Sequence, residues 1–142
     1  MMHETKAAPA LWRVWLLAAR PKTLPAAVAP VVVGSAVAWS EGGFVLWVSA
    51  LALAVALLLQ IAANLANDVF DYRRGADTAN RLGPPRVTQS GLISPDRVLA
   101  ATVFVLGAAV LAGLPLVFRG GWPLLALGVL AIVAAVAYTA GP

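Results

Sequence analysis

The sequence predicts an all-α integral membrane protein with four transmembrane helices. Of its 142 residues, 61% are hydrophobic and only 11% are charged, whereas soluble domains carry about 25% charged residues. A chain this apolar cannot cover a water-exposed surface, so we expect a lipid bilayer to surround it. Four apolar stretches, divided by two Gly-Gly turns and one long polar segment, predict the helices. Residues 11–142 are therefore predicted to form one transmembrane domain.

The first part of the chain predicts a tail and two spans. Residues 1–10 are small and polar and are predicted to be a disordered N-terminal tail. Leu11–Ala19 is apolar but shorter than the roughly 20 residues that cross a bilayer, so we expect an interfacial helix or a lead-in. Spans are predicted at 24–40 and 44–66, with the turn Glu41-Gly42-Gly43 between them.

The second part predicts a polar segment and a second helical hairpin. Residues 67–97 are rich in charged, amide and glycine residues and are predicted to be a long polar loop. Pro95 suits the first turn of the helix that follows. Spans are predicted at 98–118 and 122–139, joined by the turn Arg119-Gly120-Gly121.

The basic residues predict the orientation. One side of the membrane would hold Lys6, Arg13, Arg20, Lys22, Arg73, Arg74, Arg81, Arg86 and Arg97. The other side would hold only Arg119. By the positive-inside rule, both termini and the 67–97 loop are predicted to be cytoplasmic. Since these residues flank apolar spans, the formal charge of +4 indicates membrane topology and not nucleic-acid binding.

The second span ends in a run of oxygen-bearing side chains. These are Asn64, Asn67, Asp68, Asp71 and Asp77. If the span continues as a helix, Asn67 and Asp71 share one face, and Asn64, Asp68 and Asp71 form a neighbouring stripe. Gly75 can end the helix, which lets Asp77 fold back. An all-oxygen cluster suits Mg²⁺, which is usually held by one or two carboxylates together with substrate phosphates.

Basic side chains near this cluster are candidates for binding phosphate, because Arg and Lys bind phosphate oxygens. They are Lys22, Arg73, Arg74, Arg81 and Arg86. A simpler alternative stays open, since charges at the cytoplasmic end of a span are ordinary and an Asp beside an Arg is often a solvated ion pair. Gln60 and Asn64 extend the polar run into the span, where polar groups favour a functional interpretation. Arg86 and Gln89 are also candidates to orient a polar ligand.

These motifs resemble the UbiA superfamily of membrane prenyltransferases, whose first acidic motif is Asn-Asp-x-x-Asp-x-x-x-Asp. Asn67, Asp68 and Asp71 match it, Gly75 stands in place of the last Asp, and Asp77 follows two residues later. This departure is similar to the branch that acts on 1,4-dihydroxy-2-naphthoate. Three further segments are similar to the same branch: Arg20-Pro21-Lys22-Thr23-Leu24-Pro25, Arg81-x-Gly83-Pro84 and Ala137-Tyr138-Thr139. The resemblance extends over nearly the whole chain from about residue 12.

The resemblance implies a reaction and a set of roles. The reaction is Mg²⁺-dependent transfer of a polyprenyl group from polyprenyl diphosphate to dihydroxynaphthoate, with loss of the ring carboxylate, in menaquinone biosynthesis at the bacterial inner membrane. The residues implied for metal binding are Asn67, Asp68, Asp71 and Asp77, of which the three aspartates are also implied to be catalytic. The residues implied for substrate binding are Lys22, Asn64, Arg81, Arg86 and Gln89.

The resemblance also implies that the chain is the N-terminal half of a larger fold. Family members are about twice as long, with eight or nine helices and a second Asp-rich motif between later spans. A C-terminal half is therefore an expected partner. Two alternatives stay open: another UbiA-type branch acting on 4-hydroxybenzoate or haem, and a catalytically incomplete membrane fragment or scaffold. A transporter fits less well, because the acidic residues collect at one membrane surface and not at the midplane.

Overall fold

A computed structural model describes residues 10–75 and 86–140. The predicted tail at 1–10 lies outside these residues except for Ala10. The helices are α1 (Leu11–Ala19), a 3-10 helix (Pro21–Thr23), α2 (Leu24–Ser40), α3 (Leu46–Arg73), α4 (Pro95–Gly120) and α5 (Trp122–Ala140). The described part of the chain contains no strand, so the predicted all-α class is confirmed.

Three segments of the described chain are long and apolar enough to cross a membrane. They are Leu11–Ser40, which comprises α1, the 3-10 helix and α2, and the helices Leu46–Arg73 and Pro95–Gly120. The described apolar part of α5 is shorter, at Trp122–Tyr138. The whole of α5 has 19 residues, a length of about 28 Å at 1.5 Å per residue, which is close to the roughly 30 Å of a hydrocarbon core. The architecture is that of a multi-pass membrane protein.

Helix α3 lies at the centre of the bundle. It packs against α1, α2, α4 and α5, and its contact with α4 is the most extensive. Short turns at 41–45 and at Gly121 make successive long helices antiparallel. Arg119 lies 5.6 Å from the ring of Trp47, so the end of α4 meets the start of α3. The polar end of α3 consequently lies at the opposite end of the bundle.

The main cluster of buried apolar residues lies at that polar end. It contains Val14 and Ala18 of α1, Leu65 and Val69 of α3, Val87 and Ile93 of the connecting segment, and Val98 of α4. Along the rest of the helices, large apolar side chains are mostly exposed or half-buried. Apolar side chains in a bilayer can face lipid, whereas those beyond the bilayer must be buried against protein. A cap with its own core therefore closes one end of the bundle.

The structure places helix at both ends of the predicted 67–97 loop. Residues 67–73 continue α3 for seven residues beyond the predicted span, and α4 begins at Pro95. The continuation is stabilised because Asp68 and Val69 are buried against the cap. Gly75 follows the helix with φ of 65°, a left-handed conformation that glycine adopts readily after a helix.

Candidate functional site

The last turns of α3 carry the candidate site. Asn64 and Asp68 face the protein, with 4% and 2% of their surfaces exposed. Asn67 and Asp71 are partly exposed. Residues four apart share a face of a helix. Asn64 and Asp68 therefore form one polar face turned into the cap, and Asn67 and Asp71 form a second face turned toward its surface.

The inward face is fixed to the corner between α1 and α2. The side-chain amide of Asn64 donates 2.8 Å hydrogen bonds to the carbonyl of Ala19 and to the hydroxyl of Thr23. The Thr23 hydroxyl in turn donates to the carbonyl of Arg20 at 2.9 Å, and Gln60 approaches the same hydroxyl at 3.4 Å. Arg20 has φ of 52°, a conformation that costs a non-glycine residue roughly 1–2 kcal/mol. The polar network therefore holds a strained corner in place.

The segment after residue 85 forms one helical turn with a defined end. Gly91, with φ of 68°, donates its N–H to the carbonyl of Thr88 at 3.1 Å, and Leu92 donates to Val87 at 3.0 Å. This pair of bonds is a Schellman motif, which satisfies the last carbonyls of a helix. The carbonyl of Arg86 accepts from both the N–H and the hydroxyl of Ser90, at 3.0 and 2.6 Å. The backbone of Arg86 is thereby fixed within the turn.

Asp68 joins this turn to α3. One carboxylate oxygen accepts a hydrogen bond from the N–H of Val87 at 3.2 Å. The backbone N–H of Thr88 also donates a hydrogen bond to this carboxylate. The other oxygen, Oδ1, is buried and has no hydrogen-bond partner among the described residues. Positive charge from Arg20 and Arg86 also acts on the carboxylate. The carboxylate thus occupies the N-terminal end of the turn, where backbone N–H groups need acceptors.

Arg86 joins the turn to the other polar face of α3. Its guanidinium donates to the backbone carbonyl of Asn67 at 2.7 Å and pairs with the carboxylate of Asp71 at 2.5 Å. The side chain of Arg86 is only 5% exposed, whereas that of Asp71 is 25% exposed. A buried guanidinium therefore adjoins a carboxylate that water or a ligand can reach.

The structure brings together only some of the predicted site residues. Asn67, Asp68, Asp71 and Arg86 converge where α3 meets the helical turn. Gln89 lies on the exposed side of that turn, and Lys22 is exposed in the 3-10 helix. Asn64 has its amide directed toward the α1–α2 corner. Asp77 and Arg81 lie outside the described residues.

Arg20 is a site candidate to which the sequence motifs assigned no binding role, although it opens the Arg20-Pro21-Lys22-Thr23 segment. The structure places its charge near Asp68 and its backbone in the left-handed region. Strained backbone is often found at functional sites. Its place at the start of the Arg-Pro-Lys-Thr segment was the available signal, since the following Pro21 fixes the corner.

The carboxylate and amide oxygens at the end of α3 are the candidate ligands for Mg²⁺. Within 10–75 and 86–140, no group of three or more His, Cys, Asp or Glu side chains is close enough to hold a metal ion. Mg²⁺ needs only one or two carboxylates when waters and phosphate oxygens complete its octahedron. The partly exposed Asp71, with the amide of Asn67 one turn earlier, fits that requirement, and the buried Asp68 fits it less well.

An apolar cavity lies at the same level of the bundle. It has a volume of about 160 Å³ and lies between α3, α4 and α5. Its lining includes Ala66 and Phe70 from the turns of α3 that carry Asn67 and Asp71, together with Thr102 and Leu106 of α4. The turns of α3 that carry the polar cluster therefore also line an apolar cavity.

Comparison with known proteins identifies relatives of the chain. The model of the UbiA prenyltransferase family matches residues 27–141. The 1,4-dihydroxy-2-naphthoate octaprenyltransferase of Escherichia coli K12 is 43% identical over 135 residues, which cover 91% of this chain and 44% of the relative. The enzyme of the same name from Mycobacterium tuberculosis is 45% identical over 128 residues, covering 89% of this chain and 43% of the relative. That from Bacillus subtilis is 31% identical over 129 residues, covering 91% and 41%.

The chain spans less than half the length of the curated relatives that it matches. No solved structure matches it significantly.

Proposed function

Because the chain belongs to the UbiA prenyltransferase family, we propose that it forms part of an enzyme that transfers a polyprenyl group from polyprenyl diphosphate to 1,4-dihydroxy-2-naphthoate. The acceptor is taken from the names of relatives that are 31–45% identical. One structural observation carries the proposal. At the polar end of α3, the reachable carboxylate of Asp71 adjoins the buried guanidinium of Arg86, next to an apolar cavity.

The basic residues would bind the diphosphate. Arg86 is buried and already held by both Asn67 and Asp71, so it would act as a fixed positive charge beside the diphosphate, with little further loss of conformational entropy. Lys22, exposed at the same end of the bundle, would supply a second charge, and Arg81 a third. Gln89 on the exposed side of the helical turn would orient a substrate.

Asn64 would act differently from the substrate-binding role that the resemblance implies. Its two donor hydrogens hold the corner that carries Arg20 and Lys22. It would therefore fix the position of basic side chains in the site.

Magnesium is proposed as the cofactor. Asn67, Asp71 and Asp77 would hold it through oxygen atoms, whereas the burial of Asp68, the other aspartate of the motif, argues against it as a ligand. The bound ion would neutralise the diphosphate charge that develops as the leaving group departs. Carboxylates alone would repel a diphosphate, so the acidic motif and the basic residues are both needed.

In the proposed chemistry, one carbon–oxygen bond and one carbon–carbon bond break, and one carbon–carbon bond forms. The allylic C–O bond of the polyprenyl diphosphate breaks and releases diphosphate, and the prenyl carbon bonds to the ring carbon that carries the carboxylate. The carboxylate then leaves as CO₂ and its bonding electrons return to the ring. The apolar walls of α3, α4 and α5 would exclude water from the electron-deficient carbon.

The cellular setting is proposed as the bacterial inner membrane, with the site on the cytoplasmic side. The described basic residues support this orientation, since all of them except Arg119 lie on elements at the polar end of the bundle. This asymmetry is the pattern of the positive-inside rule. Menaquinone biosynthesis is the proposed pathway, because dihydroxynaphthoate is named as the substrate of the relatives.

The full reaction is proposed to need more of the fold than this chain spans. The relatives are more than twice as long as the matched region. A C-terminal half would supply the second Asp-rich motif and the remaining walls of the apolar cavity.

A chimeric enzyme tests the proposal. The matching segment of the E. coli relative would be replaced by this chain and expressed in cells that lack the native enzyme. Membranes would receive Mg²⁺, labelled polyprenyl diphosphate and one acceptor at a time: dihydroxynaphthoate, 4-hydroxybenzoate or haem. We expect prenylated product with dihydroxynaphthoate only. Product with another acceptor would assign a different branch, and a well-inserted but inactive chimera would contradict the proposal.

A further inference from the structure

We propose that Asp68 is a positioning residue whose carboxylate caps the helical turn at 86–91 and thereby holds Arg86 against Asn67 and Asp71. The consequence for catalysis rests on the proposed function, but the capping itself does not. The sequence placed Asp68 among the metal ligands and catalytic residues. The geometry points to a division of labour within the motif, in which Asp68 faces the protein and Asp71 faces the site.

The surroundings of Asp68 are those of a structural cap. It is 2% exposed, and Val87, whose N–H it accepts, is 1% exposed. A carboxylate at the start of a helical turn satisfies N–H groups that have no partner within the turn. Mg²⁺ keeps several of its waters when protein-bound, and a side chain this deeply buried leaves no room for them. Asp71, with a 25% exposed side chain, has that room.

The turn passes this constraint on to Arg86. Arg86 immediately precedes the capped N–H, and its carbonyl is bonded to Ser90 within the turn. The far end is closed by the Schellman bonds at Gly91 and Leu92. The side chain of Val87 is inserted into the core beside Val69 and Val98. A turn fixed in this way can move away from α3 only if the bond to Asp68 breaks.

The position of Arg86 depends on that attachment. Its guanidinium bridges the carbonyl of Asn67 and the carboxylate of Asp71, one turn apart on α3. Loss of the cap would therefore loosen the turn, which only the side chains of Val87 and Arg86 would then hold, and with it the charge beside the proposed diphosphate site. Replacement of Asp68 should affect the site through Arg86 and not through metal binding.

Two substitutions separate capping from charge. Asp68→Asn keeps an oxygen that can accept from Val87, and Asn and Asp are about equally good at N-terminal caps. Asp68→Ala removes the acceptor. Asp71→Asn is the matched control, because it makes the same chemical change on the outward face of the same helix.

Limited trypsin digestion of membranes containing this chain measures the attachment directly. Cleavage after Arg86 requires the turn to open, whereas Arg73 and Arg74 are exposed and serve as internal references. Mass spectrometry of new N-termini at Val87 would give the rate at each site. We expect Asp68→Ala to accelerate cleavage after Arg86 by about five- to tenfold, the scale of a lost cap when opening is in rapid equilibrium. Asp68→Asn should stay within about twofold of the parent on the same scale.

Three outcomes would overturn the proposal. One is unchanged cleavage after Arg86 in Asp68→Ala, and another is equal acceleration in Asp68→Asn and Asp68→Ala. If Asp68→Ala also accelerates cleavage after Arg97 in α4, that variant has unfolded more widely, and the test then depends on Asp68→Asn alone. The third contradicting outcome is faster cleavage after Arg86 in Asp68→Asn in that case.

Transfer activity provides a second readout, using the chimeric enzyme. Asp68→Asn should leave the Mg²⁺ concentration for half-maximal rate within about threefold of the parent, whereas Asp71→Asn should raise it at least about tenfold or abolish transfer. A Mg²⁺ requirement raised equally by both substitutions would overturn the positioning role. If the parent chimera has no transfer activity, the proposed function fails while the proteolysis result still decides the capping.

Discussion

Replacement of Arg86 by alanine is expected to destabilise the cap of the bundle strongly. The guanidinium makes a hydrogen bond to the carbonyl of Asn67 and an ion pair with Asp71. A hydrogen bond involving a charged group contributes about 1.5–3 kcal/mol, so losing both would cost about 3–6 kcal/mol. Water can reach Asp71, whose side chain is 25% exposed, and rehydration reduces the expected loss to about 2–4 kcal/mol.

The assay is reversible unfolding of the purified chain in mixed micelles of dodecylmaltoside and SDS, followed by tryptophan fluorescence. Trp15 packs against the core of the cap and reports its loss. Arg86→Lys keeps the charge but not the planar fork, and should lose about half as much stability as Arg86→Ala. Arg73→Ala is the control, because the Arg73–Asp96 pair is exposed at the surface and exposed pairs contribute little.

An unfolding free energy for Arg86→Ala within about 0.5 kcal/mol of the parent would refute this reasoning, since that is the range of ordinary surface substitutions. Equal losses in Arg86→Ala and Arg73→Ala would refute it as well. Either result would mean that the helical turn is not fastened to α3 in the folded protein.

Three other perturbations have defined outcomes. Asn64→Leu removes both bonds to the α1–α2 corner and should cost about 1–3 kcal/mol in the same unfolding assay, whereas Gln60→Leu, which loses only a 3.4 Å contact, should cost clearly less. Gly91→Ala forces a side chain into φ of 68° and should cost about 1–2 kcal/mol. Gly107→Ala, in the interior of α4 with open space around the added methyl, should be neutral or stabilising by up to about 1 kcal/mol. Equal effects of the two alanines would contradict the left-handed backbone conformation of Gly91. Chelation of divalent cations should abolish prenyl transfer by the chimera, and Mg²⁺ but not Ca²⁺ should restore it, because diphosphate bound with several waters suits the smaller ion; activity that survives chelation would contradict the cofactor proposal.

Much of the fold could be predicted because lipid imposes simple rules on sequence. Apolar stretches of bilayer length, bounded by Gly-Gly turns, predicted helices that the structure places at Leu24–Ser40 and Trp122–Ala140. For the end of α3, the sequence offered two positions: Ala66, where the predicted span ends, and Gly75, which can end a helix. Composition changes to polar at Asn67, but the helix continues to Arg73, because one face of that extension is buried in a cap that hydropathy does not reveal.

The candidate site could be predicted by residue type but not by orientation. The sequence identified Asn67, Asp68 and Asp71 as one oxygen-rich cluster. It gave no indication that Asp68 would accept a bond from Val87, since that contact depends on a turn formed 19 residues later in the chain. Gly91 was a local signal for the end of that turn. Glycine readily adopts the left-handed backbone conformation that ends the turn in the structure.

The role of Asn64 shows the same limit. A polar residue inside a span indicates function, but its hydrogen bonds go to Ala19 and Thr23, more than 40 residues away in sequence. Only tertiary structure distinguishes a side chain that binds a ligand from one that fixes the corner beside it.

The central claim is that Asp71 belongs to a diphosphate-binding prenyltransferase site. It is tested most directly by measuring prenyl transfer to dihydroxynaphthoate in membranes containing the chimera or its Asp71→Ala variant, with equal amounts of inserted protein. We expect Mg²⁺-dependent product from the parent and a loss of at least about a hundredfold in the variant, the scale expected when a key ligand or electrostatic group is removed. Equal product from both would contradict it.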